Sequence, residues 1–281
     1  MVVLNVHGHL LDLSKPQVMG ILNLTPDSFY AASRVQTEEA IRKRVRQIAD
    51  EGGTMMDVGA YSSRPGADDV SPKEEMERLR RGLKVVREEA PNMPLSVDTF
   101  RADVAKMAVE ELGADIINDI SGGELDPAMF TTVARLGVPY ILMHMKGTPK
   151  TMQQAPRYDD LLKEVMLYFA KKVQQLRDLG QKDIILDPGY GFGKTLDQNY
   201  ELLRHQEMLQ VFELPLLVGV SRKSMIYHLL GTTPQEALNG TTVLNTIALT
   251  KGANILRVHD VKAALEVTQL ISQLLPQDPQ L

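Results

Sequence analysis

Charged and amide side chains recur at one kind of place in this chain, just after a short apolar run. Asn23 follows one such run, Ser62-Ser63-Arg64 a second, Asp98 a third and Asn118-Asp119 a fourth. His144, Asp187, Ser221-Arg222-Lys223, and Arg257 with His259-Asp260 follow the other four. By chemistry the set divides in two. Asp98, Asn118, Asp187 and Lys223 offer acceptors and a few donors. They suit a flat heterocycle with an amino-amide edge, where a carboxylate takes two N–H bonds in one plane. Asn23, Arg64, Arg257 and His259 suit a phosphate or diphosphate with a divalent ion, which prefers oxygen ligands. Singly, each has a structural alternative. Asp98 or Asp119 could cap the next helix, Asn118 could tie down a turn, Arg222 could form a surface ion pair, and His144 reads better as a hydrogen-bonded wall residue than as a ligand. Eight runs out of eight ending this way make the all-structural reading poor.

The stretch LDPGYGFGKT, residues 186–195, looks like a phosphate loop. The P-loop pattern requires Gly five residues before Gly193-Lys194-Thr195, and that position is Pro188. The dinucleotide pattern G-x-G-x-x-G starts at Gly189 and Gly191 but meets Lys194 at its third glycine. Hydrolytic chemistry has no G-x-S-x-G elbow, and the histidines lack zinc spacing. In this reading Lys194 is left over, as a solvated loop lysine.

The elements that must position these residues are eight nearly continuous apolar runs, at 17–24, 54–60, 94–99, 115–120, 139–145, 183–189, 215–221 and 253–260. Continuous runs fit strands buried on both faces of a parallel sheet. Charged segments with helical spacing lie between them, as at 37–53, 71–90 and 159–180. Ser71 in SPKEE and Thr233 in TPQEA predict helix starts, with Pro in the first turn. Gly53, Gly113, Gly137, Gly180 and Gly252 predict helix stops. Eight strand–helix units imply an α/β chain with a (β/α)8 TIM barrel, whose site lies at the C-terminal ends of the strands. A doubly wound open sheet is the alternative, but the first strand lacks its glycine fingerprint. Residues 1–15 read as an N-terminal β-hairpin closing the barrel's bottom. Residues 1–281 read as a single domain with a frayed tail at 276–281.

With 281 residues, one large domain can bury a full core. A net charge of -5 argues against a broad nucleic-acid footprint. The absence of cysteine excludes disulfides and thiolate chemistry and fits a reducing compartment. No basic region precedes an apolar core in MVVLNVHGHLLDL, and no apolar run approaches the ~20 residues of a membrane span. The expectation is a cytoplasmic protein with small-molecule partners, no nucleic acid and no membrane.

MGILNLTPDSF (19–29), SSRPGA (62–67), SVDT (96–99), IINDI (116–120), LMHM (142–145), LDPGYGFGK (186–194), GVSRKS (219–224) and RVHD (257–260) resemble, in order, the motifs of bacterial dihydropteroate synthase. The resemblance implies a (β/α)8 homodimer of folate biosynthesis. It would join 4-aminobenzoate to (7,8-dihydropterin-6-yl)methyl diphosphate, releasing diphosphate, with Mg2+ as cofactor. Carried over by motif, the pterin pocket is Asp98, Asn118, Asp187 and Lys223, walled by Met143, Phe192 and Gly219. Diphosphate falls to Ser63, Arg64, Arg257, Val258 and His259, with Asn23 reaching it through the metal. Aminobenzoate falls to Phe29, Pro65, Ser221, Arg222 and Ser224. In that light LDPGYGFGKT is a pterin loop rather than a P-loop.

Two loops depart from the family pattern. DSFSDGG is here DSFYAAS, with Tyr30, Ala31, Ala32 and Ser33, and GGESTRPG is here GAYSSRPG, with Tyr61 for Glu and Ser63 for Thr. Both fall where the family closes over its second substrate. The favoured reading is a synthase with variant loops. The alternatives are a pterin-binding paralogue with a lost or altered aminobenzoate step and, last, a pterin-dependent methyltransferase, which would not need the diphosphate cluster.

Overall fold

The computed structural model describes residues 3–6, 8–25, 38–61, 70–148 and 156–274. The expectations for Phe29, Ser63, Arg64, Pro65, the 30–33 loop and the 276–281 tail lie outside these residues. The chain opens with β1 (Val3–Val6) and β2 (His9–Asp12), an antiparallel hairpin. Parallel strands follow: β3 (Gln17–Asn23), β4 (Met55–Gly59), β5 (Leu95–Asp98), β6 (Ile116–Asp119), β7 (Tyr140–Met143), β8 (Ile184–Asp187), β9 (Leu217–Val218) and β10 (Ile255–Val258). Their spatial order is β8-β7-β6-β5-β4-β3-β10-β9. A bridge between Leu186 and Leu216 joins the two ends, with Leu186 N–H donating to Pro215 O at 2.8 Å. The barrel is thereby closed.

Helices follow the strands: α1 (Glu38–Asp50), α2 (Pro72–Glu89), α3 (Ala102–Glu110), α4 (Met129–Leu136), α5 (Leu161–Asp178), α6 (Leu196–Arg204), α7 (Ser224–Leu230), α8 (Leu238–Thr250) and α9 (Val261–Ser272). Local chemistry sets several boundaries. Ser71 caps α2 by accepting from Glu74 N–H at 3.2 Å, with Pro72 in the first turn. Thr195 and Gln198 form a capping box at α6. Gly137, at φ 68°, ends α4 in the left-handed region. Two boundaries differ from the sequence reading. After α1 the left-handed residue is Gly52, at φ 86°, not Gly53. The capping box of Thr233 and Glu236 opens only the single 3-10 turn Pro234–Glu236, and α8 begins at Leu238.

The strands are buried on both faces, yet the two faces differ. Val18, Leu22, Met56, Val58, Val97, Ile117, Leu142, Leu186, Val218 and Leu256 pack in the large core that also contains helix residues. Met19, Met55, Ile116, Ile141, Ile185, Leu217 and Ile255 form a separate cluster with Leu4, Val6 and Leu13. The hairpin therefore plugs the barrel's interior at its bottom end, as its sequence implied. Each fully buried aliphatic side chain there contributes about 1.5–3 kcal/mol.

Candidate active site

Strand side chains alternate between faces with period two. Two residues above the plug, on the same inner face, stand Ile21, Asp57, Asn118, Met143, Asp187, Gly219 and Arg257. β5 follows the same rule, with Ser96 below Asp98, and Asp98 pairs in register with Gly59 and Asn118. One step inside the barrel thus changes an apolar plug into a polar floor. That floor holds the carboxylates, amide and guanidinium that the sequence assigned to strand ends.

The floor is wired together. Arg257 Nε donates to Asp57 Oδ2 at 2.6 Å, and its Nη2 reaches Asp98 Oδ2 at 3.3 Å. Asn118 Nδ2 donates to the same Asp57 oxygen at 3.0 Å. Asn118 Oδ1 is buried with no partner among the described residues, so it remains an acceptor for a bound group. A Cβ added to Gly219 would lie 3.8 Å from Arg257 Cβ and 3.9 Å from Lys223 Nζ, which puts the Lys beside the Arg. Burial, reinforced by the Asp57 carboxylate and opposed by Arg257, pushes Asp98 up to about 8. Burial raises Asp187 as well, while Lys223, the Gly189 N–H and Arg257 oppose it. Lys223 is pushed down to about 8 by burial, against the pull of Asp187.

Beside the floor runs the loop between β8 and α6. Asp187 Oδ1 accepts the Gly189 N–H at 2.7 Å, which starts the turn. Gly189 has φ 66°, and a Cβ there would lie 2.0 Å from His144 O, so only glycine fits. Lys223 Nζ donates to Tyr190 O at 2.5 Å and lies 4.6 Å from the centre of the Phe192 ring. Phe192 and Phe100 pack on the apolar group Ile120, Met143 and Met145. Met143 and Phe192, expected as pocket walls, thus share one apolar group with Phe100, Ile120 and Met145. Lys194 corrects the sequence reading: it is not solvated but 4% exposed, with Nζ on three backbone carbonyls.

Other expected residues divide. Asp119 braces its own turn, accepting from Ser121, Gly123 and the Tyr140 hydroxyl. Arg222, at φ 54°, holds Asp260 through two 2.8 Å bonds and donates to the carbonyls of Pro234 and Gln235. Its guanidinium is engaged, and the ion-pair alternative is what the fold uses. Ser221 Oγ accepts the His259 N–H at 3.1 Å, and the His259 carbonyl accepts from Arg44 Nη2 at 2.6 Å. Ser224 begins α7. The Val258 side chain belongs to the outer core, which leaves only its backbone for a ligand. Asn23 ends β3 one step beyond Ile21 on the inner face, where it is exposed. His144 is buried and held neutral by burial, its ring 4.9 Å from Tyr168 in an edge-on contact. It is a wall residue, although its Nδ1 is unbonded among the described residues.

Sequence reasoning missed Asp57, which is fully buried and anchors both Arg257 and Asn118. A signal existed: an acid inside the apolar run TMMDVGA, two residues past Met55. Tyr61, the departure from Glu, stands edge-on to Phe100 at 5.0 Å and 89°, with the Arg101 guanidinium 5.3 Å from one ring and 4.8 Å from the other. Arg101 in turn pairs with the buried Glu75 and donates to Val70 O at 2.8 Å.

Known proteins match this chain over nearly its whole length. The family described as "Pterin binding enzyme" matches residues 19–259. The dihydropteroate synthase of Escherichia coli (strain K12) is 43% identical over 272 residues, covering 95% of each chain. That of Synechocystis is 41% identical, covering 92% of this chain and 89% of the relative. The structure of Yersinia pestis dihydropteroate synthase with a sulfonamide drug complex superposes with a TM-score of 0.92 at 40% identity, covering 97% of this chain and 99% of that one. The dihydropteroate synthase of Thermus thermophilus, in complex with 4-aminobenzoate, gives 0.87 at 35% identity, covering 97% and 100%.

Proposed function

The chain belongs to the dihydropteroate synthase family of pterin-binding enzymes, and from that premise we propose how its residues divide the reaction. It is a transferase of folate synthesis, joining 4-aminobenzoate to (7,8-dihydropterin-6-yl)methyl diphosphate to give 7,8-dihydropteroate and diphosphate. The observation that carries the residue assignment is the polar floor two residues above the plug. Asp98, Asn118 and Asp187 take the N–H edge of the pterin, with Asp57 holding Asn118 in place. Lys223 supplies a donor beside them, and Met143, Phe192 and Gly219 bound the ring. Arg257 is shared: its guanidinium is held between Asp57 and Asp98, so it serves the pterin side as well as the diphosphate.

Diphosphate falls to Ser63, Arg64, His259, Arg257 and the Val258 backbone. Asn23 offers one amide oxygen at the end of β3, and among the described residues no group of three His, Asp or Glu could hold an ion alone. That donor set fits a Mg2+ carried by the diphosphate, since Mg2+ takes one or two protein oxygens together with phosphate oxygens and water. Bound there, the ion would offset negative charge on the leaving group. The aminobenzoate side is Phe29, Pro65, Ser221, Arg222 and Ser224, with Arg222 acting through its backbone because its side chain is engaged.

The difficult step is breaking the C–O bond to diphosphate, whose oxygen keeps the electron pair. Positive charge then grows on the pterin, facing Asp187 and the Asp98 carboxyl. Preorganised acceptors in a dry site stabilise it by several kcal/mol. The amine of aminobenzoate then forms the C–N bond and loses its proton. It is neutral at pH 7, so positioning does most of its work. The step is dissociative, with diphosphate leaving first.

No helix among the described residues is long and apolar enough to cross a membrane. From its kinship with the bacterial synthases we assign the protein to the cytoplasm. Exposed Leu229 and Leu230 of α7, with Val243 of α8, support pairing of two copies through those helices.

The test is diphosphate release by purified protein with the pterin diphosphate and Mg2+, with and without 4-aminobenzoate, and product identified by mass. Dihydropteroate is the expected product. Diphosphate release without it would shift the reading to a changed second substrate. Pterin binding with neither product would favour a non-catalytic paralogue.

A further inference from the structure

Lys194 has no task in the reaction outlined above, yet it is among the most buried charged groups near the site. Its Nζ donates to the carbonyls of Gly189 at 2.9 Å, Phe192 at 3.0 Å and His144 at 3.4 Å. An ammonium has three N–H donors and no acceptor. Three carbonyls therefore saturate it, and none of the three is a carboxylate. Taking such a charge out of water costs several kcal/mol. A methionine of similar length would fill the space without that cost, so the charge calls for a reason other than packing.

The reason lies in what the three carbonyls belong to. Gly189 is the residue whose N–H bonds Asp187 Oδ1 at 2.7 Å. Phe192 presents the ring that lies 4.6 Å from Lys223 Nζ. Between them, Tyr190 O takes Lys223 Nζ at 2.5 Å. His144 follows the wall residue Met143, and its N–H bonds Asp187 O at 2.9 Å. One ammonium thus fastens both sides of Asp187 and the backbone that meets Lys223.

Charge acts in the same direction. The groups that face Lys194 electrostatically are Asp187 from β8, Lys223 from the turn before α7, and the neutral His144 after β7. Lys194 joins Lys223 and Arg257 in favouring the ionised form of Asp187 against its burial. Burial pushes Lys194 itself down to about 7, with Asp187 holding it up and Lys223 adding to the push, but three carbonyls around one Nζ take three N–H donors, which only the ammonium has.

We propose that Lys194 is a positioning residue for the pterin pocket, a buried ammonium that ties the carbonyls of Gly189, Phe192 and His144 together so that the Asp187 carboxyl keeps its place and Phe192 its spacing to Lys223. This rests on the assignment of Asp187 and Lys223 to the pterin.

Three variants test it in the full-length enzyme. K194M removes the cation. N199A loosens the same loop without touching charge, since Asn199 accepts the Gly191 N–H at 2.7 Å and donates to Thr195 O at 2.7 Å. D187N probes the pocket itself. The readouts are the Kd of a dihydropterin alcohol lacking diphosphate, by calorimetry, and KM for each substrate. K194M is expected to weaken the pterin alcohol roughly tenfold, the scale of one lost charge-assisted contact, and to leave KM for aminobenzoate unchanged. N199A is expected to lower Tm with a smaller change in pterin Kd. Should K194M not fold, K194Q, which keeps two donors but no charge, carries the same comparison. Wild-type pterin affinity in K194M, with D187N impaired, would overturn the inference, as would equal effects of K194M and N199A. An unaffected D187N would instead remove the pocket assignment on which it rests.

Discussion

Asp57 and Arg257 meet inside the barrel, Oδ2 accepting from Nε at 2.6 Å across 200 residues of sequence. The same carboxylate oxygen accepts from Asn118 Nδ2. One fully buried acid therefore holds both the guanidinium and the amide of the floor.

Removing that acid is expected to be costly twice over. Asp57→Ala leaves a buried guanidinium short of a partner, a change on the order of 3–5 kcal/mol in such settings. Urea unfolding should show it. Pterin affinity should fall as well, because Arg257 and Asn118 lose their shared anchor. Asp57→Asn keeps the shape and part of the hydrogen bonding, so it should fall between. An Asp57→Ala protein as stable as the wild type would mean that Asp98 alone suffices for Arg257.

Asp98 supplies a pH signature. Its folded value is raised to about 8 from the ordinary 3.8, by burial and by Asp57. Between those values the folded state holds a proton that the unfolded chain has released. Stability from this group is therefore fully present below about 4 and is lost as pH rises towards about 8. Asp98→Asn cannot ionise. The stability difference between wild type and Asp98→Asn, followed by denaturation from pH 4 to pH 8, should shift against the wild type by at least about 1 kcal/mol. A flat difference would show that Arg257 keeps Asp98 ionised throughout.

Much of this was legible in the chain, and the failures have physical causes. Eight apolar runs with polar residues after them specified the barrel, because parallel strands buried on both faces leave few other readings. Asp57 escaped notice since it sits within a run and belongs to no motif. Only the inner-face periodicity, fixed by which residues touch the hairpin, reveals it. Lys194 reads from sequence as solvated because lysine almost always is. The carbonyl-lined hole that takes it depends on the left-handed turns at Gly189 and Gly193, at φ 66° and 60°, and no composition rule shows where their carbonyls aim. Arg222 was legible as a residue of the site's rim but not as a partner of Asp260, 38 positions away.

Tyr61 should govern the second substrate rather than the first. Its edge-on contact with Phe100 is worth about 0.5–1.5 kcal/mol beyond area burial. It stands two residues before the Ser63-Arg64-Pro65 segment assigned to diphosphate and aminobenzoate. Tyr61→Ala should raise KM for 4-aminobenzoate by up to roughly tenfold, the limit set by that contact, with the pterin Kd unchanged. Tyr61→Glu, which restores the family residue, places a carboxylate by Arg101 and should compete with Glu75 for it. A change in pterin Kd without one in KM for aminobenzoate would assign Tyr61 to the pocket wall instead.

Magnesium should matter to the diphosphate and not to the ring. One oxygen of each floor acid is already engaged, Asp57 with Arg257 and Asn118, Asp98 with Arg257, and Asp187 with Gly189 N–H, and among the described residues no three acids or histidines gather to hold an ion. Asn23 offers a single neutral oxygen, too little to retain Mg2+ without the phosphate oxygens of the substrate. Chelation is therefore expected to abolish tight binding of the pterin diphosphate while leaving the pterin alcohol's Kd unchanged in calorimetry. Asn23→Ala should raise the Mg2+ concentration needed for half-maximal diphosphate binding, again without effect on the alcohol. If chelation weakens both ligands alike, the ion sits in the pterin pocket, and the division of labour between the floor and the rim is wrong.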